Sequence, residues 1–179
     1  MPTLDRLNLM LQSGQATTEA ALDLFDALDP VSLEFMIGRW RGSELSTHHP
    51  MDGLLAASNW YGKEFIDPET VHPLLFLDDQ NHVFKVAPNL AAMRLGLQLP
   101  MVKQEAFRPL LRLMTAMFTT QSSQARLRMM EYRHQVSATM IYDNLPINDS
   151  FRKVDDNTVL GLMDFKDMSQ PFFFLLRRE

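Results

Sequence analysis

The alternation of apolar and polar positions divides the chain into helix-like ends and a β-like body. Leu4, Leu7 and Leu11 fall on one helical face, with Gly14 as a stop, and Thr17-Thr18-Glu19-Ala20 reads as a capped helix start. Ala21, Leu22, Phe25 and Leu28 continue that second helix until Asp29-Pro30 breaks it. The run Gly38-Arg39-Trp40-Arg41-Gly42 predicts the first strand of a closed sheet, its indole plugging one end and its glycines admitting close neighbours. Leu54 to Trp60 suits a short helix and Tyr61 to Ile66 a strand ended by Asp67-Pro68. Leu74–Leu77 and Val83–Val86 read as a hairpin around Asp78-Asp79-Gln80-Asn81.

From Asn89 to Phe118 the pattern changes to Leu, Met, Ala and Arg with few β-branched residues. It predicts helix, broken at Pro100 and again near Pro109. The expectation is that this segment packs on the outside of the sheet; a lid over a barrel mouth is the alternative. Thr119 to Gln124 is a polar linker. A meander follows, with strands at Ala125–Arg133, Gln135–Tyr142, Ile147–Val154, Thr158–Asp164 and Phe172–Arg178. Phe172-Phe173-Phe174-Leu175-Leu176 does not alternate, so that strand is expected to be buried on both faces, one toward a lumen and one under a helix.

These elements imply a mainly β fold with flanking helices: a closed antiparallel, calycin-like β-barrel drawing strands from both halves of one domain. Its parts are N-terminal helices (1–32), a first β part (33–88), a helical insertion and linker (89–124) and the strand meander (125–179).

Composition narrows the chemistry. With 179 residues, 46% hydrophobic and 22% charged, the chain is long enough for a substantial core. A net charge of −5 gives no general attraction to nucleic acid. There is no cysteine, which removes disulfides, thiolate metal sites and cysteine nucleophiles. No stretch has the apolar continuity of a signal peptide or membrane span, so a cytoplasmic protein is expected. The five histidines, His48, His49, His72, His82 and His134, form no metal-ligand spacing, and no metal is expected. His48-His49 reads as a solvated loop. Serine-nucleophile motifs, phosphate loops and dinucleotide fingerprints are absent.

The residues resemble those of two bacterial families. Gly38–Gly42, Asp52-Gly53-Leu54, Trp60-Tyr61-Gly62-Lys63 and Val71-His72-Pro73-Leu74 are similar to the GXWXG family. Glu131-Tyr132-Arg133, Ser137-Ala138, Tyr142-Asp143, Pro146-Ile147, Asp149, Phe151-Arg152, Gly161, Met163-Asp164 and Phe173-Phe174-Leu175 are similar to the DUF4334 family. The resemblance carries no activity to transfer. By looser analogy with lipocalins, fatty-acid-binding proteins and nitrobindin-like haem proteins, it implies a barrel around a small-molecule cavity. In such barrels a basic residue of a late strand packs over the motif Trp, which points to Arg177 or Arg178 over Trp40. Glu44 and His134 depart from these patterns, each standing where glycine is expected.

The functional expectation is binding of a small hydrophobic or amphipathic molecule, with Tyr61, Lys63, His72, Tyr132 and Tyr142 as polar anchors. Lys63 or an arginine would suit a carboxylate-bearing ligand. The alternative is a cofactor-independent isomerase, lyase or hydrolase using Asp149, Tyr142 or His72 as acid or base. The ordinary structural reading pairs Asp149 with Arg126, Arg128, Arg133 or Arg152 and makes His72 a structural histidine. No cofactor is required; haem, reached by a histidine at the barrel mouth, is a further alternative. The 13 methionines fit an adaptable apolar interior.

Overall fold

Eight strands close into one antiparallel ring in the computed structural model, which describes residues 3–14, 16–98 and 105–179. The strands are β1 (Asp29–Pro30), β2 (Gly38–Leu45), β3 (Trp60–Phe65), β4 (Val71–Leu77), β5 (Val83–Lys85), β6 (Ala125–Tyr132), β7 (Gln135–Tyr142), β8 (Ile147–Asp155), β9 (Thr158–Phe165) and β10 (Phe172–Arg178). The ring runs β8-β7-β6-β4-β3-β2-β10-β9 and returns to β8, so the barrel has no free edge there. The C-terminal meander therefore lies close to its predicted bounds, and β7 and β10 match them at both ends.

Two seams in this wall are irregular. β7 pairs with β8 only over Thr139–Ile141, and further along β8 the short β1 pairs with Arg152 and Lys153. Asp29-Pro30 is therefore a strand as well as a helix stop. Next to it, Val31 exchanges main-chain contacts with Ser137 Oγ and Ala138 N. β4 meets β6 at the single pair Val71–Ala125, and the helical insertion enters between β5 and β6 beside this seam.

Six α-helices among the described residues accompany the barrel: α1 (Thr3–Ser13), α2 (Thr18–Asp26), α3 (Leu33–Met36), α4 (Leu54–Ala57), α5 (Leu90–Gln98) and α6 (Arg108–Ala116). Thr17 caps α2 through its hydroxyl, which accepts from Ala20 N at 3.1 Å, as the Thr-x-x pattern anticipates. α3 interrupts what reads as strand sequence, started by the Ser32 cap on Phe35 N. Pro109 lies in the first turn of α6 and begins that helix instead of breaking one, since proline fits where the N–H has no helical partner. The break expected at Pro100 lies outside the described residues.

Two apolar layers result. Phe172, Phe174 and Leu176 point into the lumen with Trp40, Phe65 and Phe151; Phe173 and Leu175 point outward beneath Leu24, Phe25 and Leu28 of the N-terminal segment. The unbroken apolar run of β10 thus serves both. No helix among the described residues is long and apolar enough to cross a membrane.

Trp40 is fully buried and closes one end. Its Nε1 donates to Met36 O at 2.7 Å, and the Arg178 guanidinium stacks 4.2 Å from the indole centroid while donating to Ile37 O and Phe35 O. Arg177, one residue earlier on β10, points outward to solvent. The glycine departures also find reasons. Glu44 receives the N–H groups of Gly53, Leu55 and Ala56, capping α4 with a carboxylate that burial pushes up in pKa. His134 sits at φ 64° beside Arg133 at φ 50°, both in the left-handed region that a two-residue hairpin turn of this type requires.

Candidate functional site

Inside the barrel lies a cavity of about 450 Å³ that Trp40 does not line, within the roughly 300–1,000 Å³ range of small-molecule sites. Strand residues such as Trp60, Met163, Phe172 and Phe174 form its walls, and Leu54, Met93, Leu111 and Met114 from α4, α5 and α6 form its roof. The helical insertion is therefore a lid that lines the cavity, not a layer on the outside. Its α6 is apolar on its inner side and also leaves Leu113 and Met117 exposed, so the expectation of plain outer packing followed from composition that suits either place.

Among the described lining residues the wall holds one ion pair. Lys63 Nζ lies 2.9 Å from Asp149 Oδ2, with side-chain exposures of 3% and 1%. The same ammonium donates to Pro73 O at 3.2 Å and to Tyr142 Oη at 3.5 Å, and faces the rings of Phe174, Trp60 and Tyr142 at 5.0, 5.7 and 5.7 Å. Burial pushes the Asp149 carboxyl up in pKa, and Lys63 pulls it partly back. Burial, with Asp149 nearby, holds the Tyr142 phenol well above its ordinary value. Two buried polar atoms at the cavity have no hydrogen-bond partner: Asp149 Oδ1 and Trp60 Nε1.

Local chain geometry brings these groups together. On β8 strict alternation points Ile147, Asp149 and Phe151 inward, and on β7 it does the same for Ala138, Met140 and Tyr142. β3 breaks alternation: its register with β4 shifts on both sides of Gly62, so Trp60 and Lys63, three residues apart, both reach the cavity. Gly62 has φ 152°, and a Cβ there would lie 1.9 Å from Trp40 O, so the bulge depends on glycine. Gly42 gives Trp60 its place, since a Cβ on Gly42 would lie 2.2 Å from the indole ring.

Of the expected anchors and acid/base residues, the fold unites Lys63, Tyr142 and Asp149 at one point. The other three lie elsewhere. Tyr61 faces outward because of the bulge, with its hydroxyl on Glu179 and its ring under Arg41. Tyr132 ends β6 against the outer apolar layer. His72 is buried but lies opposite Glu64 on the outer side of the wall, where burial and Lys85 push its pKa down. It does not line the cavity.

The arginine pairings expected for Asp149 go to other partners. Arg126 binds Asp143, Arg128 binds Glu69, Arg133 binds Asp26, and Arg152 stacks 4.6 Å from Phe25 and donates to the carbonyls of Phe151 and Tyr132. His49 is also unlike the solvated loop residue expected. It is buried, accepts Met51 N–H on Nδ1 and places Nε2 3.1 Å from Gln170 O. No histidine lines the cavity among the described residues, so the wall offers haem iron no imidazole. Nor does any group of three or more potential metal-ligand side chains occur among them. Trp60 is the cavity residue that sequence reasoning missed. The signal was Gly62, two positions after Trp60 and directly before Lys63, in Trp60-Tyr61-Gly62-Lys63.

The comparisons with known proteins agree with this architecture. Residues 23–81 match the family described as GXWXG protein, and residues 123–178 match the domain of unknown function DUF4334. None of the curated proteins compared with it matches the chain. A crystal structure of a protein from Thermomonospora curvata superposes with a TM-score of 0.74 at 32% identity, covering 100% of this chain and 99% of that one. The GXWXG part supplies β2 to β4 with Lys63, the DUF4334 part supplies β6 to β10 with Tyr142 and Asp149, and the chain thus joins a GXWXG part to a DUF4334 part.

Proposed function

We propose that the protein binds a small, predominantly apolar molecule inside the barrel, under the α5–α6 lid. The observation that carries this reading is a roofed cavity of about 450 Å³ whose walls are mostly aromatic and aliphatic, with its ionic groups gathered in the Lys63–Asp149–Tyr142 corner. An empty apolar space of this size loses packing contacts that an occupant restores. Burying about 200 Å² of ligand surface is worth about 5 kcal/mol before ordering costs. The test is native mass spectrometry of the gently purified protein, joined to titration with Nile red. Saturable uptake of the dye, abolished by filling the cavity with Leu111→Trp, is the expected result. A protein that takes up no apolar probe sinks the reading.

A second reading, acid/base catalysis on the bound molecule as in an isomerase, lyase or hydrolase, is favoured by the free oxygen of Asp149. Its carboxyl is displaced toward the pH range where a general acid or base works best. Turnover of a bound compound that disappears in Asp149→Asn while binding persists would support this second reading.

A further inference from the structure

Resting on the binding reading, we propose that the ligand is uncharged and ends in a hydroxyl group, which donates to Asp149 Oδ1 and accepts from Trp60 Nε1. The polar inventory of the cavity leads there. Lys63 has three hydrogens and three acceptors already around it: Asp149 Oδ2, Pro73 O and Tyr142 Oη. It has no hydrogen left for a ligand carboxylate, which is the group a lone cavity lysine suggests. Ser58 and Thr115 also line the cavity, but their hydroxyls donate to main-chain carbonyls, at 2.9–3.0 Å for Ser58 and 2.9 Å for Thr115.

Among the described lining residues, two buried side-chain atoms have no hydrogen-bond partner at all, the acceptor Asp149 Oδ1 and the donor Trp60 Nε1–H. An unpaired buried polar group costs about 1–3 kcal/mol, so a ligand that satisfies both gains over one that satisfies neither. Both belong to side chains gathered around one ammonium, Asp149 at 2.9 Å and the Trp60 ring at 5.7 Å. A hydroxyl carries both complementary functions on a single atom.

Charge decides against the alternatives. Lys63 and Asp149 together are neutral, so an uncharged end group enters without unbalancing the site. A carboxylate would bring a second anion against Asp149 Oδ1. An ammonium would bring a second cation toward Lys63. In an apolar enclosure either is expensive. Ethers and hydrocarbons fit the walls but leave Asp149 Oδ1 bare.

The experiment compares probes of one chain length, 1-decanol, decyl methyl ether, decanoate and decylamine, as displacers of Nile red from the intact protein. The expected result is that decanol displaces the dye at about tenfold lower concentration than any other member. Trp60 gives a second readout that needs no variant. The chain has two tryptophans, and Trp40 Nε1 is already bonded to Met36 O. Decanol should therefore move one indole N–H resonance downfield and leave the other in place. A double variant, Lys63→Met with Asp149→Leu, removes both charges together and should bind decanol and the ether equally. Decanoate or decylamine binding as well as decanol, equal binding of decanol and the ether, an unmoved Trp60 signal, or alcohol preference surviving in the double variant each overturns the inference and leaves the binding reading standing. Failure of Nile red to bind overturns both.

Discussion

Lys63→Met removes one half of a fully enclosed ion pair, and the structure sets what that costs. The ammonium lies 2.9 Å from Asp149 Oδ2, and no arginine stands in reserve, because Arg126, Arg128 and Arg133 bind other carboxylates. Breaking a buried pair from one side costs about 3–5 kcal/mol. In a protein of this size that is a fall in Tm of about 6–20 °C, at roughly 2–4 °C per kcal/mol. The loss must also depend on pH. Burial already raises the Asp149 carboxyl in the folded state, Lys63 is the group that lowers it, and the unfolded value is about 3.9. A folded pKa raised above the unfolded one gives stability that is fully present below the unfolded value and lost as pH rises through the folded value. The Lys63→Met deficit is therefore larger at pH 8 than at pH 5. Urea denaturation of wild type and variant at both pH values measures it. Replacing the pair together, Lys63→Met with Asp149→Leu, should return stability to within about 1 kcal/mol of wild type or above it. A single variant as stable as wild type at pH 8, or a deficit that grows toward pH 5, would refute the reasoning.

Three smaller perturbations probe the frame around the site. Gly42→Ala places a Cβ 2.2 Å from the Trp60 ring, so the indole must move; a stability loss of about 1–3 kcal/mol and weakened Nile red binding are expected in thermal melts and dye titration. Arg178→Gln removes the stack on Trp40 and two bonds to the carbonyls of Phe35 and Ile37, costing about 2–4 kcal/mol in urea denaturation with dye affinity unchanged in the folded protein. His134→Gly relieves a left-handed side-chain residue and should stabilise by up to about 1 kcal/mol after the added chain entropy, read as a higher urea midpoint.

The parts of this fold that were legible in the sequence are those governed by local rules. Period-two alternation and turn residues located the C-terminal strands, and the five apolar residues of Phe172–Leu176 announced a strand covered on both faces. Arg177 or Arg178 could be assigned to Trp40 because closing a barrel brings the last strand beside the first; β10 does pair with β2, and Arg178 is the one on the indole. The site was harder to read. Lys63 and Asp149 lie in different halves of the chain, and nothing in either half shows that they share a wall. The Gly62 bulge shifts phase within β3, so alternation counted through it groups Lys63 with the outward-facing Tyr61. The lid segment gave no clear direction because the apolar side of an amphipathic helix such as α6 suits a barrel mouth and an outer wall alike. His49 was misread since a polar loop sequence conceals a ring buried by tertiary contacts with Phe172 and Gln170.

Stability alone does not account for an ion pair at this position. Apolar side chains of similar volume typically match or exceed a buried pair in stability, and the surrounding wall of Phe174, Ile147 and Met163 already provides the packing for them. The pair is also incompletely satisfied: Lys63 has three acceptors around it, while Asp149 Oδ1 has no hydrogen-bond partner. A structural pair would be expected to satisfy its remaining lone pairs from the barrel wall, as Glu44 does by receiving three main-chain N–H groups. The asymmetry separates two roles within one contact. Lys63 holds Asp149 in an apolar enclosure and fixes its direction, and Asp149 presents the free oxygen. Around Trp40, by contrast, the indole N–H donates to Met36 O and the Arg178 guanidinium to the carbonyls of Phe35 and Ile37. The GXWXG motif thus closes the barrel, and the proposed choice of ligand rests on the Lys63–Asp149 corner under the lid.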